Sequence, residues 1–304
     1  MHTVEAGGRI ALKNVLFATD FSACSNAALP YALSIARRFG ATLHSAYVKP
    51  TDAEIFFASP ESWPAVAEED DRRDQARIEE LEKRLPQIPH DMLTPRGKVA
   101  DALVRIIAEQ DIDLLVLGTH GRAGLGKLFL GSVAEEIFRR AACPVFSVGP
   151  HVSRKPEGED RFQHIVFATD FSEDSLASLP YAVSLAEDDQ AHLALLHVVE
   201  HPAAGIVDLD EVKAVQMRRL QELLPTEAAS WCHAECMLEF GRQFAPAAER
   251  ILEVARNRAA DLIVLGVRSA HGKLGLITHL ASTTAQILTQ AGCPVLTVRR
   301  GRVQ

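Results

Sequence analysis

The chain has 304 residues, 47% of them hydrophobic and 24% charged, the composition of an ordinary globular protein. A formal net charge of −8 excludes a broad nucleic-acid or anionic-membrane surface, while leaving room for a small local anion site. Met1–Leu12 has no basic segment followed by a long apolar core, and no apolar run reaches a membrane span, so neither a signal peptide nor a membrane anchor is expected.

In chain order, Lys13–Ala18 reads as an apolar strand, followed by a helix capped by Ser22 or Ser25 and running to about Phe39. Pro30 falls inside that helical pattern. Pro180 falls the same way in a later helix, and because proline has no N–H to donate, both helices should start late or bend there. Thr42–Val48 is a second strand, Glu68–Leu85 a charged amphipathic helix and Asp91–Thr94 a short third strand. Val99, Leu103, Ile106 and Ile107 mark one face of a further helix. Asp113–Gly118 is a continuous apolar run, as in a parallel strand covered on both faces. Ser132–Ala142 is a last helix and Val145–Val148 a last strand.

The chain then repeats itself. Phe17-Ala18-Thr19-Asp20-Phe21-Ser22 returns letter for letter as Phe167–Ser172, an offset of 150 residues. Leu29–Ala32 returns as Leu179–Ala182, and Cys143-Pro144-Val145 as Cys293-Pro294-Val295. Two domains follow, over 1–150 and 160–304, joined by the Pro-, Gly- and charge-rich linker Gly149–Asp160. The second copy's strands are expected at His164–Ala168, His192–Val198, Cys236–Glu239, Asp261–Gly266 and Val295–Val298. Alternating strands and helices point to parallel sheets with helices on both faces.

Gly118 closes the buried fourth strand and opens the pattern G-x2-G-x9-G-[ST], completed by Gly121, Gly131 and Ser132. Glycines allow close backbone approach and positive φ, and a helix beginning at Ser132 aims free N–H groups at an anion. Arg122 and Lys127 add cationic reach. The bland alternative is that Ser132-Val133-Ala134-Glu135 is a capping box needing no ligand. Gly121, Gly126 and Lys127 mimic a Walker A spacing, but Leu128 stands where the Mg²⁺-holding hydroxyl belongs, so a P-loop is rejected. No G-x-G-x-x-G follows the first strand, which argues against a nicotinamide dinucleotide fold. Asp20 can serve either ribose or base recognition or a helix cap.

With these residues in view, the chain resembles the universal stress proteins of the tandem two-domain type, over essentially its whole length. The resemblance implies α/β architecture: two Rossmann-like, adenine nucleotide alpha hydrolase-like domains. Each has a five-stranded parallel sheet of order 3-2-1-4-5, and the fifth strands pair the two halves. It implies ATP with Mg²⁺ as ligand. Adenine and ribose would lie against Ala18, Asp20, Val48, Leu117 and Gly118, and the phosphates against Gly121, Arg122, Gly131, Ser132 and Val133. Ala18 stands where familiar ATP binders carry proline, a change of small consequence for a backbone and apolar contact. The implied role is cytoplasmic stress sensing or regulation, without nucleic-acid or membrane partners. The partners are an adenine nucleotide and the chain's own second half, with a homodimer left open.

The second copy departs where it matters for ligand. Aligned from Gly266, Ser269 replaces the second glycine and the loop is two residues longer; aligned from the helix, Gly272 could stand for Gly121 with the spacing one short. In either alignment Ala281 replaces Gly131, while Asp170, Val198 and Ser282 remain. The expectation is one competent nucleotide site and one degenerate one. Cys232, His233 and Cys236 offer zinc ligands without a clear second pair, so cysteines without metal are expected. Cys24, Cys143, Cys232, Cys236 and Cys293 form an odd, sparse set that fits a reducing compartment. His44, His192 and His197 read as packing residues. His120 and His279 flank the loops without an obvious orienting partner. No catalytic set is assigned. The rival readings are slow ATP hydrolysis or self-phosphorylation through His120 or Ser132, and a nucleotide-free interaction module.

Overall fold

The computed structural model describes residues 10–49, 51, 63–85, 88–120, 130–153, 161–199, 209–224, 232–241, 246–267 and 283–300. The first half runs β1 (Asn14–Ala18), α1 (Ala23–Phe39), β2 (Thr42–Ala46), α2 (Trp63–Glu82), β3 (His90–Leu93), α3 (Val99–Glu109), β4 (Leu114–Gly118), α4 (Ser132–Arg140) and β5 (Val145–Val148). The second runs β6 (His164–Ala168), α5 (Glu173–Leu176), α6 (Leu179–Asp189), β7 (His192–Val199) and α7 (Leu209–Glu222). It continues through β8 (His233–Phe240), α8 (Ala247–Asn257), β9 (Leu262–Val267), α9 (Thr283–Gln290) and β10 (Val295–Arg299). Most strand bounds fall within a residue or two of the sequence reading. The exception is β8, which extends three residues further back than Cys236 because all eight of its residues pair with β7. Helix α2 starts five residues before the expected Glu68.

The ten strands among the described residues form one sheet, in the order β3-β2-β1-β4-β5-β10-β9-β6-β7-β8. Within each half every pairing is parallel. The halves meet where β5 and β10 pair antiparallel, Leu296 opposite Phe146. Side-chain hydroxyls reinforce that seam, Ser147 Oγ–H donating to the Val295 carbonyl (3.0 Å) and Thr297 Oγ1–H to the Val145 carbonyl (3.2 Å). Pairing the two last strands removes two sheet edges that would otherwise be open to other chains.

Strand residues alternate between two cores. Val15, Phe17, Val116, Phe146 and their second-half counterparts Ile165, Phe167, Val264 and Leu296 pack beneath α1 and α6. Leu16, Leu115, Leu117 and Val145, with Val166, Ile263, Leu265 and Val295, pack beneath α3, α4, α8 and α9. This is the period of two that covered parallel strands require. Asp113 fixes the start of β4 against β1 by accepting the Lys13 and Asn14 N–H groups at 2.7 and 3.0 Å, and Asp261 repeats this with Gln163 and His164 at 2.8 and 3.1 Å.

The two prolines behave differently. Helix α1 starts at Ala23 and continues through Pro30, against the expectation of a late start, whereas the late start expected at Pro180 is found. In the second copy the same element is broken. Helix α5 ends at Leu176, and α6 starts at Leu179 with Pro180 in its first turn, where a missing N–H costs nothing. Ser178 explains the difference. It is fully buried, and its hydroxyl donates to the Ser175 carbonyl (2.7 Å), which also takes the Ser178 N–H (3.2 Å). The local bond competes with the helical ladder. Ala28 fills that place in the first copy and has no hydroxyl to compete.

Candidate functional site

The repeated hexapeptide forms the turn between β1 and α1. Phe21 lies in the left-handed region at φ 59°, and Phe171 at 60°, costly conformations for a bulky residue that the surroundings must hold. Thr19 Oγ1 accepts the Phe21 N–H (2.9 Å), Asp20 Oδ1 accepts the Ser22 N–H (2.9 Å), and Ser22 Oγ caps α1 by accepting the Ser25 N–H (3.2 Å). Thr169, Asp170 and Ser172 repeat each bond at 2.9, 3.0 and 3.2 Å. The cap is thus serine, and Asp20 shapes the turn ahead of it. Ser22 Oγ–H also reaches the His120 carbonyl (3.3 Å), tying this turn to the end of β4.

Beside the turn lies a cavity of about 490 Å³, within the size range of small-molecule sites. Asp20 lines it from the end of β1, and Tyr47 and Val48 from beyond β2. Gly97, Lys98, Val99 and Ala100 enter from the start of α3, and Ser132, Val133 and Glu136 from the first turns of α4. The cavity therefore opens at the carboxyl ends of the strands. It lies beside β1, where the strand order turns from β2 on one side to β4 on the other, the usual ligand position of an open α/β sheet.

Four of the expected ligand residues, Asp20, Val48, Ser132 and Val133, share this cavity. Ala18 and Leu117 sit in paired strands, Leu117 being buried, and Gly118 and Gly131 flank the helix starts. Gly121 and Arg122 lie outside the described residues, as do Lys127, Ser269, His279, Ala281 and Ser282.

Two arguments about the loop change. Gly131, not Ser132, is the N-cap of α4, and as a glycine it offers no capping side chain; the capping-box alternative does not hold. The N–H groups of Ser132, Val133 and Ala134 thus begin the helix without a side-chain cap, at the positive end of its dipole. Gly131 has φ −62°, so its backbone does not need the positive φ that glycine allows. Gly118 is explained without any ligand. A Cβ there would fall 2.6 Å from the Cys24 carbonyl carbon and 2.7 Å from the Ser25 nitrogen. Gly97, by contrast, has φ +127°, and its N–H donates to the Lys49 carbonyl (3.0 Å) as the chain turns into α3.

Sequence reasoning missed Tyr47, Gly97, Lys98 and Glu136. The signal for Glu136 was its place four residues after Ser132, on the same helix face. Lys98 had only its place immediately ahead of Val99. Tyr47 donates its hydroxyl to Asp74 (2.8 Å) and packs on Phe21 with ring centres 4.9 Å apart, so it joins α2 to the cavity wall. Lys98 Nζ lies 3.2 Å from Glu136, and Arg140 bridges Glu136 (2.6 Å) and Asp101 (2.5 Å). These bonds, Arg140's first and then Lys98's, hold the Glu136 carboxyl below its usual range. Burial lowers His120, with the charge of His151 adding to it, so that ring favours the neutral form. Burial pushes the Cys143 and Cys293 thiols up to about 12, as expected of inert core cysteines. Among the described residues no group of three or more His, Cys, Asp or Glu could hold a metal ion, and no helix is long and apolar enough to cross a membrane.

The model of the universal stress protein family matches the chain twice, over residues 11–149 and 161–299. The chain belongs to the universal stress protein family. A universal stress protein of Methanocaldococcus jannaschii is 29% identical over 163 residues, covering 52% of this chain and 92% of that one. One from Mycolicibacterium smegmatis is 24% identical over 307 residues, covering 94% and 96%, so it spans both halves. Among solved structures, a universal stress protein from Archaeoglobus fulgidus superposes with a TM-score of 0.67 at 20% identity, covering 98% of this chain and all of that one. The tandem Rossmann-like architecture of this universal stress protein is thereby shared with a solved relative.

Proposed function

We propose that the first half of this universal stress protein binds ATP, and that the bound state is what it signals as a stress-response sensor or regulator. One observation carries the reading: Asp20, Val48, Ser132 and Val133, expected from the sequence to touch nucleotide, line a single cavity at the head of an uncapped helix. Val48 and Val99 give the base an apolar wall, Asp20 offers the ribose an acceptor, and the α4 N–H groups face the phosphates. Mg²⁺ would accompany the triphosphate, since that ion binds through phosphates and few carboxylates. The five free cysteines support a reducing compartment such as the cytoplasm. Filling the cavity would change the surface around α3 and α4, which gives a partner something to read.

The second half is proposed to bind weakly or not at all. The glycine missing at Ala281 bears on crowding alone, because its counterpart Gly131 has ordinary φ. Calorimetric titration of the whole protein with ATP should give one tight site per chain. Gly131→Phe should abolish that site, and unchanged affinity would overturn the phosphate placement. Two equal sites would sink the asymmetry. Phosphate release above background, lost in His120→Ala, would favour the hydrolytic reading instead.

A further inference from the structure

The charged residues on the described cavity wall are two acids, Asp20 and Glu136, and one base, Lys98. That is an odd endowment for an anion site. Glu136 lies one helical turn beyond Ser132 on the same face, so a phosphate at the α4 N–H groups would sit near a carboxylate. Such a neighbour repels the ligand unless other charges neutralise it.

The neutralising set is present and is redundant. Glu136 is held by two cations, Lys98 at 3.2 Å and Arg140 at 2.6 Å, and Arg140 is anchored in turn by Asp101 at 2.5 Å. The Lys98 side chain is 65% exposed while that of Glu136 is 22% exposed, so the lysine is the solvated, releasable end of the pair, and the second cation, Arg140, stays on the carboxylate when it leaves. Glu136 would then keep Arg140 and would not stand alone. Lysine suits that task, being a mobile point charge rather than a fixed fork.

The fold does not need these charges. In the second copy Lys98 becomes Pro246, which caps α8 as Lys98 caps α3. Glu136 becomes Gln286 and Arg140 becomes Gln290, while only the acid at Asp101 survives, as Glu249. Helices α8 and α9 nonetheless pack against the same face of the sheet through Ile251, Leu252, Ile287 and Leu288.

Resting on the ATP-site reading above, we infer that Lys98 is a polyphosphate-selective residue: it exchanges Glu136 for the phosphates of the bound nucleotide, while Arg140 retains Glu136. The site would then prefer nucleoside polyphosphates over bare nucleosides by way of one transferable charge. No bond is made or broken in the exchange.

Calorimetric titration of the full chain with ATP and, separately, adenosine tests it. Lys98→Met should weaken ATP about tenfold, the scale of one charge-assisted hydrogen bond, and leave adenosine unchanged. Lys98→Arg should restore most of the loss. Glu136→Gln releases the lysine and removes the repelling acid, so it should tighten ATP without affecting adenosine. Adenosine binding also reports that each variant is folded. ATP affinity unaltered in Lys98→Met, or equal losses for both ligands, would overturn the exchange while leaving the nucleotide site standing. Wild-type protein that binds neither ligand would remove both together.

Discussion

The turn after β1 and the turn after β6 are near copies, while the charged part of the rim above them is not shared. Phe21 and Phe171 adopt the same left-handed backbone within a degree, held by the same threonine, aspartate and serine bonds. Above them, Lys98, Glu136 and Arg140 give way to Pro246, Gln286 and Gln290. The wall residue Tyr47 becomes His197, which trades a bond to a helix side chain for one to the Thr169 carbonyl (2.8 Å). The turn is copied because the fold demands it: it starts a buried helix at the end of a buried strand. The rim is free to change because packing does not depend on it. A residue pattern repeated in both halves is thus better evidence of architecture than of ligand. The asymmetry between halves is where function is to be sought.

The seam between the halves gives the sharpest test of that division. Arg38, near the end of α1, pairs with Asp189, the last residue of α6, at 2.8 Å, and the Asp189 carboxylate is fully buried. The positions are not equivalent: Arg38 corresponds to Asp188, and Asp189 to Phe39. Asp189 also accepts the Phe162 N–H (3.0 Å), and burial still pushes its carboxyl upward. Arg38→Met would leave a buried acid without its cation, and should cost about 4 kcal/mol in chemical denaturation. Adding Asp189→Asn, which keeps an acceptor for Phe162, should recover much of it. A single variant with wild-type stability would show that this ion pair does not help to hold the halves together.

A smaller effect distinguishes shared architecture from ligand chemistry at the fourth strand. Gly118 and Gly266 look like nucleotide glycines in sequence. At Gly266 a Cβ would fall 2.2 Å from the Asp174 carbonyl oxygen and 2.3 Å from the Ser175 Cα, tighter even than at Gly118. Backbone atoms on both sides leave little room to relax. Gly266→Ala should cost about 3 kcal/mol and Gly118→Ala about 2 kcal/mol, read from denaturant midpoints. Gly118→Ala protein that is stable yet unable to bind ATP would reverse this assignment and return the glycine to the ligand.

Periodicity and repetition made the layers legible. Leu114–Leu117 could hardly be anything but a covered strand, and Leu103, Ile106 and Ile107 a buried helix face. Ser132 was legible from the glycine pattern and Asp20 from its place just past the first strand, while Val48 and Val133 entered only through the family resemblance. Lys98 and Glu136 were not legible, since 38 residues separate them and only the packing of α3 beside α4 joins them. The late start at Pro180 was expected from the proline, but that Pro30 would not share it was hidden for another reason. Pro30 and Pro180 sit in the same four letters, and the outcome was decided by a hydroxyl two residues earlier.

The smallest expected effect concerns the wall residue that differs between copies. Burial lowers the pKa of His197, opposed by its bond to the Thr169 carbonyl, while the charge of Arg219 lowers it further and that of Asp170 raises it. The Phe171 ring tilts against it at 4.6 Å between centres, with Arg219 over the other partner. In the unfolded chain the imidazole takes up its proton near pH ~6.5. Its folded pKa is lower, so the unfolded state binds more protons between the two values. The stability contributed by the neutral ring is therefore fully present above about pH 6.5, and declines as pH falls from there through the folded value. The corresponding first-half residue is Tyr47, which carries no imidazole. His197→Tyr should therefore flatten the fall in denaturant midpoint between about pH 7 and pH 5. His120 shifts in the same direction from the first half and preserves part of the slope. An unchanged slope in His197→Tyr would mean that His197 takes up its proton as readily folded as unfolded, and that the two walls differ in shape alone.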